Sequence, residues 1–202
     1  MLEHVPHWLG GMLRNARAGA AKLAIVTLAN EAPTLALSSP AFADGGRLPD
    51  RFTADGEGVS PPLRWGPPPP GTATLALLVE DADAPTPQPL VHAIVWHLPP
   101  EAGALAEGAI VADGAGSAEG DIGRNSYLRE GWLPPDPPTG HGEHRYVFQL
   151  FALSAGADPG ETPGRAALIA AMEGRVLAAG LLVGTYSRGE EAPVGPVGAA
   201  IA

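Results

Sequence analysis

Three groups of residues carry chemistry in this chain. Asp81-Ala82-Asp83-Ala84-Pro85 closes one apolar run, Gly140-His141-Gly142-Glu143-His144-Arg145 opens another, and His92 lies inside a third. Carboxylates in a proline turn bond nearby backbone amides or orient an imidazole, and imidazoles donate or accept hydrogen bonds according to their protonation. Taken singly, Asp81 and Asp83 read as turn carboxylates, His144 as an imidazole satisfied by a carbonyl, and Arg145 as half of a structural ion pair. His92 is different, because an uncompensated polar ring in an apolar strand costs free energy and needs a partner. Strand parity puts His144 and Tyr146 on one side of their segment. It puts Ile94 and Trp96 on the face of His92, with Val91, Ala93 and Val95 opposite. If the strand starts at His92 and His144 lie beside the strand end at Asp81, then one acid, two imidazoles and a phenol meet in a small hollow.

The elements that must position these groups are mostly strands. Thr72 to Glu80 has apolar residues on both sides, which predicts a central strand covered on both faces. Val91 to His97 and Arg145 to Leu153 are rich in β-branched and aromatic residues and bounded by proline and glycine. A short first strand is expected at Thr34 to Leu37 and a last one at Leu181 to Arg188. Two helices are expected. One is an amphipathic helix from Pro6 to Leu28, carrying Trp8, Leu9, Met12, Leu13, Ala16, Ala20 and Leu23 as an apolar stripe. The other runs from a Thr162 cap and Pro163 through an alanine-rich stretch toward Ala179, with Gly180 as its stop. The irregular stretch from Asp113 to Gly142, with Pro134, Pro135, Pro137 and Pro138, is long enough to suggest that it frames a site. The expected organisation is a helical extension over residues 1–30, a β-sandwich over 31–190 and a tail over 191–202.

Composition narrows the classes of function. With 202 residues, of which 45% are hydrophobic, the chain can bury one core; its 27 Gly and 23 Pro point to many tight turns joining short strands. Twelve basic against 22 acidic residues give a formal net charge of -10, which opposes nucleic acid and anionic bilayers. Only the first 29 residues run the other way, with Arg14, Arg17 and Lys22 against Glu3; their helix is expected to pack on the body or on a second copy in a homodimer. The absence of cysteine removes disulfides, thiolate nucleophiles and sulfur-ligated metals. An opening of Met1-Leu2-Glu3-His4 lacks the basic start of a secretory signal, and no apolar run reaches spanning length. The expectation is a cytoplasmic protein with no stable membrane insertion.

An enzyme is not expected. No GxSxG string supplies a nucleophilic serine, and no HExxH or other compact spacing supports a hydrolytic metal at Asp81, Asp83, His92 and His144. Neither a metal nor a cofactor is called for.

From about Ala41 to Arg188 the chain resembles the phosphatidylethanolamine-binding protein family, in particular its bacterial and archaeal branch described as Raf kinase inhibitor-like. The resemblance runs through Phe52, Asp55-Gly56, Ser60-Pro61-Pro62-Leu63 with Trp65, Leu75 to Glu80 and the Asp81 to Pro85 motif. It continues through His92, Gly123 with Asn125-Ser126, Pro137-Pro138, His144-Arg145-Tyr146-Val147-Phe148 and Gly184-Thr185-Tyr186. It implies a mainly-β sandwich of two antiparallel sheets with a small anion pocket at one end. The ligand would be a phosphate, phosphoethanolamine-like or carboxylate group. Carried onto this chain, the pocket uses Asp81, His92, His144 and Tyr146, with Asp136 at the rim. Asp83, Pro85 and Arg145 support it, and Ala84–Pro85 is expected to be cis as in similar proteins.

Three departures stand out: Ala82 where the motif usually has proline, Asp136 where the family tends to have a small residue, and His97 where asparagine is common. A carboxylate at position 136 would oppose an anion. Two imidazoles donating to the anion, with Asp81 favouring their protonated form, predict binding that strengthens as pH falls through the histidine range. The alternative that the resemblance implies is an inhibitor that binds a kinase or protease.

Overall fold

The computed structural model describes residues 16–29, 31–112 and 120–188. Its strands, in chain order, are β1 (Leu37–Ser38), β2 (Gly46–Arg47), β3 (Leu63–Trp65), β4 (Thr74–Asp81), β5 (Leu90–Leu98), β6 (Gly103–Leu105), β7 (Asp121–Ile122), β8 (His144–Leu153) and β9 (Val176–Tyr186). Two short helices, α1 (Ala24–Leu28) and α2 (Arg165–Met172), accompany them. One sheet has the order β1-β3-β6 and the other β2-β9-β8-β4-β5-β7. The long strands β9, β8, β4 and β5 are antiparallel throughout; β2 alone runs parallel to its neighbour, β9.

Leu75, Leu77 and Val79 of β4 face the smaller sheet and pack with Phe148, Leu150 and Leu182 against Leu63 and Trp65. Leu78 and Ala76 point the other way, into a second cluster with Ile94, Phe151, Leu168 and Met172 that α1 and α2 cover. The central strand is therefore buried on both faces, as its continuous apolar run requires. Among the described residues no helix is long and apolar enough to cross a membrane.

The N-terminal extension is not one long helix where it is described. Residues 16–19 form no regular element, Ala20–Lys22 make a single 3-10 turn, Leu23 is extended, and only then does α1 begin. Gly19 at φ 98 and Leu23 at ψ 144 break the helical path that the apolar spacing suggested; the segment before residue 16 lies outside the described residues. Burial explains the break. The first two N–H groups of α1 are taken by side chains rising from the sheet, Ala24 N–H donating to Glu80 Oε2 (3.0 Å) and Ile25 N–H to Gln149 Oε1 (2.7 Å). Glu80 is itself fully buried and bonded to Arg165 of α2 and to Gln149 Nε2, so one carboxylate ties β4, α1 and α2 together.

Near the C-terminus the expected helix is shorter at both ends and the last strand longer. The helix begins after Gly164 with no side-chain cap, so Thr162 and Pro163 precede it. It stops at Met172 because Val176 already pairs with Leu153 of β8, and Ala178 and Ala179 continue that ladder. Gly180 is a strand residue opposite Leu150, placed where a Cβ would lie 2.6 Å from the Leu35 carbonyl oxygen.

Strand parity also fails in one place that matters. Val79 pairs with Ala93 while Glu80 pairs with Val91, which leaves His92 as the extra residue of a β-bulge. Past the bulge the alternation shifts by one. Val91, Ile94 and Trp96 join the helix-covered cluster, whereas His92 turns toward Tyr146 and Trp132, on the same side as Ala93 and Val95. Ile94 and Trp96 therefore do not share the face of His92. The Ala84–Pro85 bond is trans, as no cis peptide occurs among the described residues; trans is the lower-energy form, and hydrogen bonds that Asp81 accepts hold this turn.

The close approach at Gly180 is testable. Gly180→Ala should lower stability by about 1–3 kcal/mol, since the obstacle is backbone and cannot rotate away. Chemical denaturation should show an earlier midpoint at unchanged slope; a midpoint equal to wild type would mean that the β9 contact with residue 35 is looser than the geometry states.

Candidate functional site

Three neighbouring strand ends make the site. Asp81 at the end of β4 lies opposite Leu90 of β5 and Tyr146 of β8, so His92 and His144 come within reach of it. Together with the loop after β7 they enclose a pocket of about 250 Å³. Asp81, Pro85, His92, Asp136, His144 and Tyr146 all line it; Asp83 and Arg145 lie behind it. Walls of Leu133, Pro134, Pro137 and Pro138 come from the long irregular stretch expected to frame a site.

The Asp81 carboxylate divides its work. Oδ1 accepts the backbone N–H of Asp83 (2.8 Å) and Ala84 (3.1 Å), holding the turn, while Oδ2 lies 2.7 Å from Nδ1 of His144. A carboxylate at that distance makes Nδ1 a donor. The other nitrogen of His144 is also engaged, with Nε2 at 2.6 Å from Nδ1 of His141. His141 is fully buried, and its Nε2 lies 3.3 Å from the carbonyl of Ala16 in the N-terminal segment. His144 therefore offers a ligand its ring, near-parallel to Tyr146 at 6.4 Å between centroids, and no unoccupied nitrogen.

His92 is wired differently. Its Nδ1 lies 2.6 Å from the carbonyl oxygen of Leu133, while the N–H of Leu133 donates back to the His92 carbonyl at 2.8 Å. A carbonyl only accepts, so the ring proton sits on Nδ1. Nε2 is buried and has no partner. Burial pushes the His92 imidazole below its ordinary range, and the proximity of His144 adds to this; the Asp81 carboxylate and the Leu133 carbonyl pull the other way without prevailing. His92 is thus the neutral tautomer with a bare acceptor. Tyr146, 1% exposed, meets it edge-on at 5.0 Å. Burial, with Asp81 and Asp136 nearby, raises the phenol well above its ordinary value and keeps its O–H intact. No hydrogen bond among the described residues uses that hydroxyl.

Behind the pocket, Asp83 is gripped by Arg145 through Nε (2.7 Å), Nη2 (2.8 Å) and the backbone N–H (2.9 Å), and by Arg17 at 2.7 Å. Burial alone would raise the Asp83 carboxyl, but the two guanidinium groups outweigh it and hold the group at about 2. At the rim Asp136 is bonded to Arg188 (2.7 Å), which also forms a two-pronged pair with Asp55 at 2.8 and 2.7 Å. The charge that position 136 adds is therefore already met by a cation.

Two lining or supporting groups escape a reading of the sequence. His141 stood in the Gly140 to Arg145 string without a role; its signal is the flanking pair Gly140 and Gly142, at φ 81 and 104, which folds the ring back onto His144. Arg129, exposed at the pocket mouth, takes part in no ion pair among the described residues, and nothing in its spacing marks it. His97 lies outside the pocket, against Asp121 and Trp96. Among the described residues no group of three or more His, Asp or Glu is arranged to hold a metal ion.

Comparison with known proteins gives this pocket a context. The family model described as phosphatidylethanolamine-binding protein matches residues 38–187. A Methanothermobacter thermautotrophicus relative named UPF0098 protein is 38% identical over 154 residues, 76% of this chain and 99% of its own. Two crystal structures superpose with a TM-score of 0.69. The Chlamydia trachomatis protein CT736, described as a homologue of the same family, is 33% identical and matches over 78% of this chain and 99% of its own. Escherichia coli YbcL, described as a new member of the mammalian family, is 26% identical, over 76% of this chain and 98% of its own. Arg17 and Ala16 lie before the matched span, so the N-terminal contacts on Asp83 and His141 come from outside it.

The Asp83 cluster predicts an acid dependence of stability. Its carboxyl is depressed from 3.8 to about 2, so its contribution is complete above the unfolded value and disappears as pH falls through the folded one. Asp83→Asn should cost about 2 kcal/mol at neutral pH. Thermal melts should show the gap between wild type and variant closing between pH 4 and pH 2; a gap that stays constant over that interval would sink the assignment.

Proposed function

The chain belongs to the phosphatidylethanolamine-binding protein family, and from that premise we propose that it is a binding protein whose pocket receives the phosphate or carboxylate group of a small ligand. The observation that carries this reading is His92 Nε2, a buried acceptor on a pocket-lining residue that has no partner among the described residues, with the Tyr146 ring beside it. Buried polar groups are rarely left in that state without a ligand or water to complete them. At about 250 Å³ the pocket takes a head group and leaves any long substituent outside.

Charge placement supports the same reading. The two carboxylates that line the pocket already have partners within the protein, Asp81 in the Nδ1–H of His144 and Asp136 in the Arg188 guanidinium. Arg129 at the mouth is left to meet an incoming anion. The donor set differs from the one the sequence suggests. His144 has both nitrogens engaged and His92 is neutral, so the Tyr146 O–H and Arg129 take the place of two imidazolium donors.

Inorganic phosphate titrated into the full-length protein at pH 6 should perturb the amide resonances of Leu133 and Tyr146. Tyr146→Phe, which removes one hydrogen bond to a charged group, should weaken that binding about tenfold. Shifts confined to surface residues away from the pocket, or a Phe variant that binds as wild type does, would overturn the reading.

A further inference from the structure

Two side chains that line the pocket present opposite hydrogen-bond polarity. Tyr146 offers a proton, whereas His92 offers a lone pair, because the Leu133 carbonyl at 2.6 Å has claimed the only ring proton of the neutral imidazole. A fully ionised oxygen satisfies the first and clashes electrostatically with the second. Resting on the pocket reading above, we propose that the ligand is selected by a proton it carries: a singly ionised phosphate monoester, whose P–O–H donates to His92 Nε2 while an ionised oxygen accepts from Tyr146. A diester has the same charge and no proton to give.

The ring cannot readily reverse its roles. Turning it over would cost the 2.6 Å bond to Leu133, whose N–H is also tied to the His92 carbonyl at 2.8 Å. The bulge at residue 92 fixes the backbone that carries it. The charged and titrating neighbours among the described residues already have their roles. Asp81 of β4 is spent on His144 and the turn, and His144 of β8 on Asp81 and His141. Tyr146 of β8 stays protonated, Asp136 is paired with Arg188, and Arg129 sits out at the mouth. Protonating Nε2 would create an imidazolium in a site where burial already pushes the ring toward neutrality. A ligand that brings its own proton avoids that step.

The test uses two isomers of equal size, ethyl phosphate and dimethyl phosphate, titrated into the full-length protein and followed by the Leu133 and Tyr146 amide resonances from pH 6 to pH 8. Ethyl phosphate should bind at least tenfold more tightly than the diester at pH 6. Its apparent affinity should fall about tenfold between pH 7 and pH 8, as the second ionisation near pH 6 removes the proton. The diester should stay weak and flat. Nitrogen spectra of the free protein should show His92 Nε2 unprotonated at pH 6. Equal binding of the isomers, a monoester affinity that holds at pH 8, a diester affinity that climbs as pH falls, or a protonated Nε2 would each overturn the inference. In those cases the pocket reading stands if inorganic phosphate still moves the pocket resonances. If neither isomer nor inorganic phosphate moves them, both fall.

Discussion

Two carboxylates two residues apart, Asp81 and Asp83, are both almost completely buried at the end of one strand, and the site is organised by the need to compensate them. Buried charges this close cannot be left to water, and each must find a cation or a set of donors. The start of β8 supplies both answers from adjacent residues: His144 for Asp81 and Arg145 for Asp83. Neighbouring side chains on a strand point to opposite faces, so the two carboxylates are drawn to opposite sides of β8. One side becomes the pocket. The other becomes the seam where Arg17 joins Arg145, and where Ala18 and Gly19 bond the carbonyls of Ala84 and Ala82 at 2.9 Å.

That division explains which parts of the molecule were legible in its residues. β4, β5 and β8 announce themselves through apolar runs bounded by proline and glycine, and their observed limits differ from the expected ones by one or two residues. The convergence of Asp81, His92, His144 and Tyr146 follows from placing those strands side by side. What periodicity cannot show is a bulge. Counting by twos past His92 carries every later residue to the wrong face, and only the pairing of Glu80 with Val91 and Val79 with Ala93 reveals the slip. The same limit applies at Gly180, where an alanine-rich run with a glycine after it looks like a helix and its stop. The β8 ladder and the Leu35 carbonyl overrule that local preference. Contacts across the chain, such as Arg188 on Asp136 or His141 on Ala16, leave no mark in local spacing at all.

The resemblance to a family and the physics of the side chains then contribute different things. The first locates the pocket. The second says which atoms in it remain available, and here the two part company over the histidines. Proximity to Asp81 suggests imidazolium donors, yet Asp81 is consumed by Nδ1 of His144 and by the turn amides, and His92 is held by a carbonyl that demands its proton on Nδ1, the nitrogen facing that carbonyl. A histidine counted as a cation from the residue list is an acceptor once its partner is known.

The low polarity of the pocket turns this distinction into a rule about ligands. Its walls are mostly proline, alanine and leucine, and its acidic groups are already hydrogen-bonded inside the protein. A guest therefore meets a largely apolar lining with one donor and one acceptor, and a charge carried in where no donor meets it loses its water with little in return. Charge beyond the one oxygen that Tyr146 meets falls at the mouth, beside Arg129, where solvent still screens it. Deeper in, it is the arrangement of hydrogen-bond polarity that discriminates, because a mismatched lone pair there has no water to turn to. On this reading the -10 charge of the whole chain says little about the site. The field of the body sets how often an anion arrives, and the bond between His92 and Leu133 sets which one fits.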